Sequence, residues 1–338
     1  MLRSRSGDPI RSKEMRLATL HDGSRDGQLV VVSRDSERAA SAASVARSLR
    51  DALDAWTTVE PALAELAHDL EIDRIASKPI AREKLMAPLP RAAEWVDGSA
   101  YLNHVRLVRR ARGAEPPATL ESDPLVYQGG SSDMLGPFQS FELVDETWGL
   151  DFEAELAVVL GDTPRGTDRA SASRHVCLLV CLNDWTYREL VPGELAKGFG
   201  FFCSKPATGF APFAVTPDEL GEAWNDGRLS GKMHVTLDGR EIGSPDTRDM
   251  QFSFFDLIQH ITRTRRFGAG TILGSGTISN AAPERGVTCL QELRARETIA
   301  HGAPQTAFLR HGSQVQIVFR LPDGRTPFGE IAQEVVPP

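Results

Sequence analysis

Asp151-Phe152-Glu153-Ala154-Glu155-Leu156-Ala157-Val158-Val159-Leu160 has the composition of a buried β-strand, yet its first half carries three acids. Side chains along a strand alternate with a period of two. Glu153 and Glu155 are therefore expected on one face, with Phe152, Ala154, Leu156 and Val158 on the other and packed into a core. Like charges side by side repel, and taking a carboxylate out of water without a partner costs several kcal/mol. A divalent cation would remove both penalties. A solvated sheet edge would avoid them, and the pair alone leaves both readings open.

Two further segments bear on that choice. His175 to Leu182 reads as another buried strand and runs into Asn183-Asp184-Trp185-Thr186-Tyr187-Arg188-Glu189. Asp184, where a core strand meets a loop, can join a site or cap a following helix. Upstream, Trp95-Val96-Asp97-Gly98-Ser99-Ala100-Tyr101-Leu102-Asn103-His104 places an acid seven positions before a histidine. Oxygen ligands from Asp97, Glu153, Glu155 and Asp184 suit a hard ion such as Mg²⁺, Ca²⁺ or Mn²⁺ better than zinc. The four need not all bind at once.

The rest of the 338 residues supplies the frame. That length suits one large domain with an appendage, or two domains. Leu17 to Leu20 and Leu29 to Val32 flank a polar, glycine-bearing turn and predict an opening hairpin. Val45, Leu49, Ala52, Leu53 and Trp56 fall at helical spacing, and Pro61 is expected to start a second helix carrying Leu63, Leu66, Ala67 and Leu70. Met86 to Pro90, with two prolines, suits a connection between domains. Beyond it, Lys232 to Leu237 alternates before an Asp238-Gly239 turn, Val315, Ile317 and Phe319 alternate before Asp323-Gly324, and Ser253 caps a helix bearing Phe254, Leu257, Ile258 and Ile261. The expected organisation is α+β but mainly β: a disordered extension over 1–14, upstream of an alternative start at Met15, a small α+β domain over 15–85, and a large domain over 86–338 built as a curled sheet or roll.

Several function classes are disfavoured. Thirty-eight Lys and Arg against 46 Asp and Glu leave a formal charge of -8, which repels phosphate backbones. The longest apolar run, Val176 to Leu182, is far shorter than the roughly 20 residues of a membrane-spanning helix. Neither nucleic acid nor membrane is an expected partner. The basic, polar first residues lack a secretory core. Four cysteines form no CxxC pair and suit free thiols in a reducing cytoplasm. No GxGxxG, P-loop or GxSxG sequence is present, which argues against a nucleotide-binding scaffold and a serine-hydrolase mechanism.

The ordered set DFEAEL, NDWTYRE, Ser204-Lys205-Pro206 and Gly274-Ser275-Gly276-Thr277-Ile278-Ser279 resembles the fumarylacetoacetate hydrolase family over most of residues 86 to 335. The stretch beginning Met15-Arg16-Leu17 resembles the small leading domain of one bacterial branch. The resemblance implies a homodimeric β-roll enzyme with a divalent metal, acting on small β-dicarbonyl acids in tyrosine and other aromatic catabolism. By motif, Asp97, Glu153, Glu155 and Asp184 match metal ligands, and His104 matches a histidine that activates water, oriented by Glu292. Lys205 and Arg188 match groups that stabilise oxyanion charge. Tyr127, Gly276 and Thr277 match substrate contacts, and a substrate arginine falls near Arg112. There are departures: Val191 stands where fumarylacetoacetases proper carry glutamine, Leu195 lies near a missing tyrosine, and Ser99 replaces a tyrosine that Tyr101 could supply.

The chemistry so implied is hydrolysis of a carbon-carbon bond, with the cation stabilising the departing enolate and His104 taking a proton from water. Fumarylacetoacetate is the leading substrate. An acylpyruvate hydrolase, a 2-oxo acid decarboxylase, hydratase or isomerase, and a non-catalytic metal-containing binding protein are the alternatives. The His104 and Glu292 pair favours hydrolysis, because decarboxylation needs no activated water.

Overall fold

The computed structural model describes residues 14–338. The expected extension, apart from its last residue Glu14, and the choice of start lie outside the described residues. The opening hairpin forms as its pattern predicts: Arg16–Leu20 pairs antiparallel with Gln28–Val32, from Arg16 opposite Val32 to Leu20 opposite Gln28. The next two helices differ from their expected bounds. The first is Leu49–Asp54, and the Ser48 hydroxyl caps it by accepting from the Asp51 N–H at 3.1 Å. The second runs Trp56–Glu71 and takes Pro61 inside it rather than at its start. An interior proline costs about 3 kcal/mol. Burial of Leu63 and Leu70, at roughly 1.5 to 3 kcal/mol each, offsets that cost.

Two sheets carry the architecture. The larger has twelve strands and the smaller principal sheet five, which gives the expected mainly β organisation. The path through the large sheet begins with Lys78–Pro79 and Arg38–Ser41, continues through the hairpin strands and passes Ala214–Val215, Val176–Asp184, Ala154–Leu160, Thr271–Gly274 and Trp95–Gly98 to Val126–Gly129. The N-terminal segment is joined edge to edge with the rest: Arg16 pairs with Val215 and Leu17 with Ala214. A buried ion pair reinforces the seam, with Arg16 Nη2 3.1 Å from Glu219 Oε1, and the Met15 N–H donates to Thr216 Oγ1 at 3.1 Å.

Ala154–Leu160 lies at the centre of this sheet and is buried throughout. Leu156, Val158 and Leu160 enter one hydrophobic cluster, and Ala157 and Val159 enter a second beneath the N-terminal helices. The expected core face forms, with Phe152 and Ala154 in the first cluster as well, and the opposite face is covered too. The strand is covered on both sides, and Glu153, just before it, and Glu155, within it, are 5% and 0% exposed. A solvated edge is thereby excluded. The second sheet pairs Lys232–Leu237 with Arg240–Gly243 and with Gln314–Arg320, which continues to Glu330–Val336. The Asp238-Gly239 turn has positive φ at both residues, as a tight hairpin requires. No described helix is long and apolar enough to cross a membrane.

Candidate active site

Strand ends converge at one end of the large sheet. Antiparallel register sets Glu155 opposite Leu182, so Glu155 at the start of its strand lies diagonal to Asp184 at the end of the next, on the same face. On the other side Thr271–Gly274 runs parallel to Trp95–Gly98 with Gly274 opposite Asp97, and Asp97 is in turn opposite Tyr127. Two glycines make room. A Cβ on Gly274 would lie 2.3 Å from Asp97 Oδ1, and one on Gly276, whose φ is +76°, would lie 2.2 Å from the Gly98 carbonyl oxygen. With those contacts free, the Gly276 N–H donates to Asp97 Oδ1 at 2.9 Å.

Asp97, Glu155 and Asp184 each offer an oxygen within 4.8 Å of the others, and all three are buried. Neither Glu155 oxygen has a hydrogen-bond donor. Burial, and next the charge of Asp184, pushes Asp97 up to about 8; burial, and next Asp97, holds Glu155 well above the carboxylate range. Burial also raises Asp184, against the pull of Lys205. Three hard oxygen donors with an orphaned buried carboxylate among them fit a divalent cation such as Mg²⁺, Ca²⁺ or Mn²⁺.

Glu153 is placed differently from the other three acids. Its oxygens accept from Arg188 Nη2 at 2.8 Å and Lys205 Nζ at 2.5 Å. Burial pushes this carboxyl up, but Lys205 and Arg188 outweigh it and hold it below the usual range. Lys205 Nζ also donates to Asp184 Oδ2 at 2.6 Å and Thr186 Oγ1 at 2.8 Å. Burial disfavours the Lys205 charge, yet Asp184 and Glu153 keep it ionised. Tyr127 completes the cluster by donating to Asp184 Oδ2 at 2.5 Å, with its ring 5.2 Å from the Lys205 ammonium.

His104 sits in the first turn of the helix Leu102–Ala111, and its Nδ1 lies 3.0 Å from Glu292 Oε1 on the helix Leu290–His301. A carboxylate only accepts, so Nδ1 carries the proton and the Nε2 lone pair is left free. Glu292 is fully buried; its other oxygen has no hydrogen bond, although Arg296 approaches within 4.0 Å. The predicted residues Asp97, His104, Arg112, Tyr127, Glu153, Arg188, Lys205, Gly276 and Thr277 line one cavity of about 150 Å³. Glu155, Asp184 and Glu292 stand behind that lining.

The departures are also placed. Val191, Leu195 and Ser99 line the cavity, Val191 and Leu195 from the helix Val191–Ala196. Tyr101 lines it too, but its hydroxyl is committed to the Thr247 carbonyl at 2.9 Å. Of the cysteines, all free, Cys177, Cys181 and Cys289 are buried and Cys203 is exposed.

Sequence reasoning missed Asp151. Its carboxylate accepts from Arg188 Nε at 2.8 Å and from the Leu290 and Gln291 N–H groups at 2.7 and 2.9 Å. It therefore fastens Arg188 and caps the helix that carries Glu292. A signal existed: Cys289, the residue before that helix, offers no capping oxygen, so another element had to supply one. Thr186 and Phe201, which contacts Tyr127 edge-on at 5.3 Å, carried no comparable signal.

Comparison with known proteins gives the family. Residues 94–336 match the Fumarylacetoacetate (FAA) hydrolase C-terminal family, and residues 15–91 match Fumarylacetoacetase N-terminal domain 2. The chain belongs to the fumarylacetoacetate hydrolase family. It is 24% identical over 223 residues to a human mitochondrial protein named oxaloacetate tautomerase, covering 60% of this chain and 65% of that one. The fold is shared with fumarylacetoacetate hydrolase of Exiguobacterium antarcticum, at a TM-score of 0.67, 18% identity, and 96% and 100% of the two chains covered. It is likewise shared with maleylpyruvate hydrolase of Sphingobium sp. SYK-6, solved with manganese(II) and pyruvate, at a TM-score of 0.64, 18% identity, and 96% and 99% covered. The family thus spans hydrolases and tautomerases, and at least one of these relatives holds a divalent metal.

Proposed function

We propose that the chain is a metal-dependent hydrolase that cleaves a carbon-carbon bond in a β-dicarbonyl acid, either fumarylacetoacetate or an acylpyruvate. The observation that carries this reading is the His104 and Glu292 pair, at 3.0 Å, opening on the cavity lined by Asp97. A divalent cation held by Asp97, Glu155 and Asp184 would supply Lewis-acid polarisation of the substrate's two carbonyl oxygens. His104 Nε2 takes a proton from water, and Glu292 keeps the ring in the tautomer that allows it and stabilises the imidazolium. The Lys205 ammonium, fixed by its bonds to Glu153 and Asp184, brings positive charge to the oxyanion that forms on attack. Arg188 braces Glu153. Tyr127, Gly276 and Thr277 shape the wall against the substrate head, and Arg112 meets its carboxylate at the mouth.

The test is turnover of fumarylacetoacetate, acylpyruvates and oxaloacetate by protein stripped of metal and then reloaded with Mg²⁺, Ca²⁺ or Mn²⁺. Cleavage of a dicarbonyl acid that stops on stripping and returns on reloading supports the reading. Action on oxaloacetate alone would replace it with decarboxylase activity or with tautomerase activity, the latter being the reading favoured by the human relative's name.

A further inference from the structure

Between the helix Val191–Ala196 and Ser204 the chain leaves the body of the protein and returns to it. Gly198 and Gly200, both at positive φ, flank Phe199, which is 98% exposed, and Phe202 is 85% exposed. Two aromatic rings in water give this loop little hydrophobic reason to hold its path. One carboxylate supplies the restraint. Glu194 Oε2 accepts from the Phe202 N–H at 2.9 Å, the Ser204 N–H at 3.2 Å and the Ser204 hydroxyl at 2.5 Å, while Oε1 accepts from the Cys203 N–H at 2.6 Å. Successive amides converging on one anion form a backbone nest, and charge-assisted bonds of this kind are stronger than neutral ones.

Lys205 is the next residue in the chain after Ser204. The Ser204 carbonyl accepts from the Tyr187 N–H at 2.8 Å, which sets this turn against the segment leading to Arg188. Phe201, inside the loop, lines the cavity against Tyr127. The loop therefore carries a piece of the cavity wall, and its closing end carries the ammonium that bridges Glu153 and Asp184.

We propose that Glu194 is a positioning residue, whose carboxylate closes the loop 195–204 and thereby sets Lys205 in the cleft and Phe201 on its wall. The inference rests on the proposed function for the role of Lys205, but not for the closure itself. Burial pushes the Glu194 carboxyl up, but the Ser204 hydroxyl and the three amides together outweigh it and hold it down to about 2, so the closure persists through neutral pH.

The experiment uses full-length protein carrying Glu194→Ala, Glu194→Gln, Lys205→Met, and Glu194→Ala with Lys205→Met. In metal-free protein, hydrogen exchange at the Phe202, Cys203 and Ser204 amides should quicken about tenfold in Glu194→Ala and less in Glu194→Gln. Chymotryptic cleavage after Phe199 should rise in parallel. With a substrate in hand, Glu194→Ala should lose about 10²-fold in kcat through misplacement of Lys205. The double variant should then lose no more than Lys205→Met alone, because both act through one group. Unchanged amide exchange in both Glu194 variants overturns the closure. Losses that multiply in the double variant overturn the route through Lys205. If no substrate is turned over, the proposed function fails while exchange and proteolysis still decide the closure.

Discussion

His104 Nδ1 and Glu292 Oε1 are 3.0 Å apart across a sequence separation of 188 residues. The pairing depends on two helix starts. His104 lies in the first turn after Tyr101, and Glu292 in the first turn after Cys289, where Asp151 from the central sheet receives the free amides. Removing the base should lower kcat by about 10²-fold or more in His104→Ala. Glu292→Gln, which keeps the shape but can present an N–H to the ring, should lower it by about tenfold to 10²-fold with KM little changed. Steady-state kinetics on the best dicarbonyl substrate checks both, and full activity in either variant would remove the water-activating role.

Glu155 offers a test that needs no substrate. Its two buried oxygens lack donors, so in metal-free protein this side chain opposes folding at neutral pH. Glu155→Gln removes the ionisable group and should raise metal-free stability by about 2 kcal/mol while abolishing the stabilisation that added Mn²⁺ gives the native chain. Thermal denaturation with and without metal reads both signs. A variant that is less stable without metal and still responds to it would contradict the assignment.

Proton linkage gives a direction with pH. Asp97, pushed from 3.8 up to about 8 by burial and then by Asp184, holds a proton in the folded metal-free protein across a range where the unfolded chain has lost it. The folded state binds more protons in that range, so this group's contribution makes metal-free stability fall as pH rises from about 4 to about 8. A cation must displace the proton, so metal affinity should rise with pH over the upper part of that range. Calorimetric titration with Mn²⁺ in buffers of different ionisation enthalpy should show proton release below pH of about 8. Equal affinity at pH about 6 and about 8.5 would be inconsistent with this.

The seam between the N-terminal hairpin and the rest of the sheet is testable at Glu219. Glu219→Ala leaves the Arg16 guanidinium buried without its carboxylate, a change that costs about 3 to 5 kcal/mol in comparable settings. Arg16 keeps bonds to the Arg34 carbonyl and to Ser36, so the lower end is expected. Denaturant unfolding measures it. A loss well under 1 kcal/mol would mean that the strand pairing alone holds the seam.

Much of the site was legible because its chemistry is local in sequence. Glu153 and Glu155 stand out as acids in a strand, Asp184 as an acid ending an apolar run, and Asp97 as an acid shortly before His104. Which acid serves which partner was not legible. Glu153 and Glu155 share a motif, yet one meets Lys205 and Arg188 and the other meets Asp97 and Asp184, and that division depends on how distant strands pair. The same holds for the central strand. Alternation predicts one buried face, whereas the N-terminal helices cover the second and bury both. Pro61 marked a helix boundary by local preference, whereas the helix begins at Trp56, and Trp56 and Val59 in the added turn pack against the second cluster.

The pairing of Arg16 with Val215 also has a consequence for biogenesis. At roughly 5 to 20 residues per second, a ribosome that has made the first strand needs on the order of 10 to 40 s more before its far neighbour has been synthesised. Through that interval one side of the nascent hairpin stands bare, open to any passing strand. Chaperone demand should accordingly peak midway through translation and subside once the Ala214–Val215 segment clears the exit tunnel.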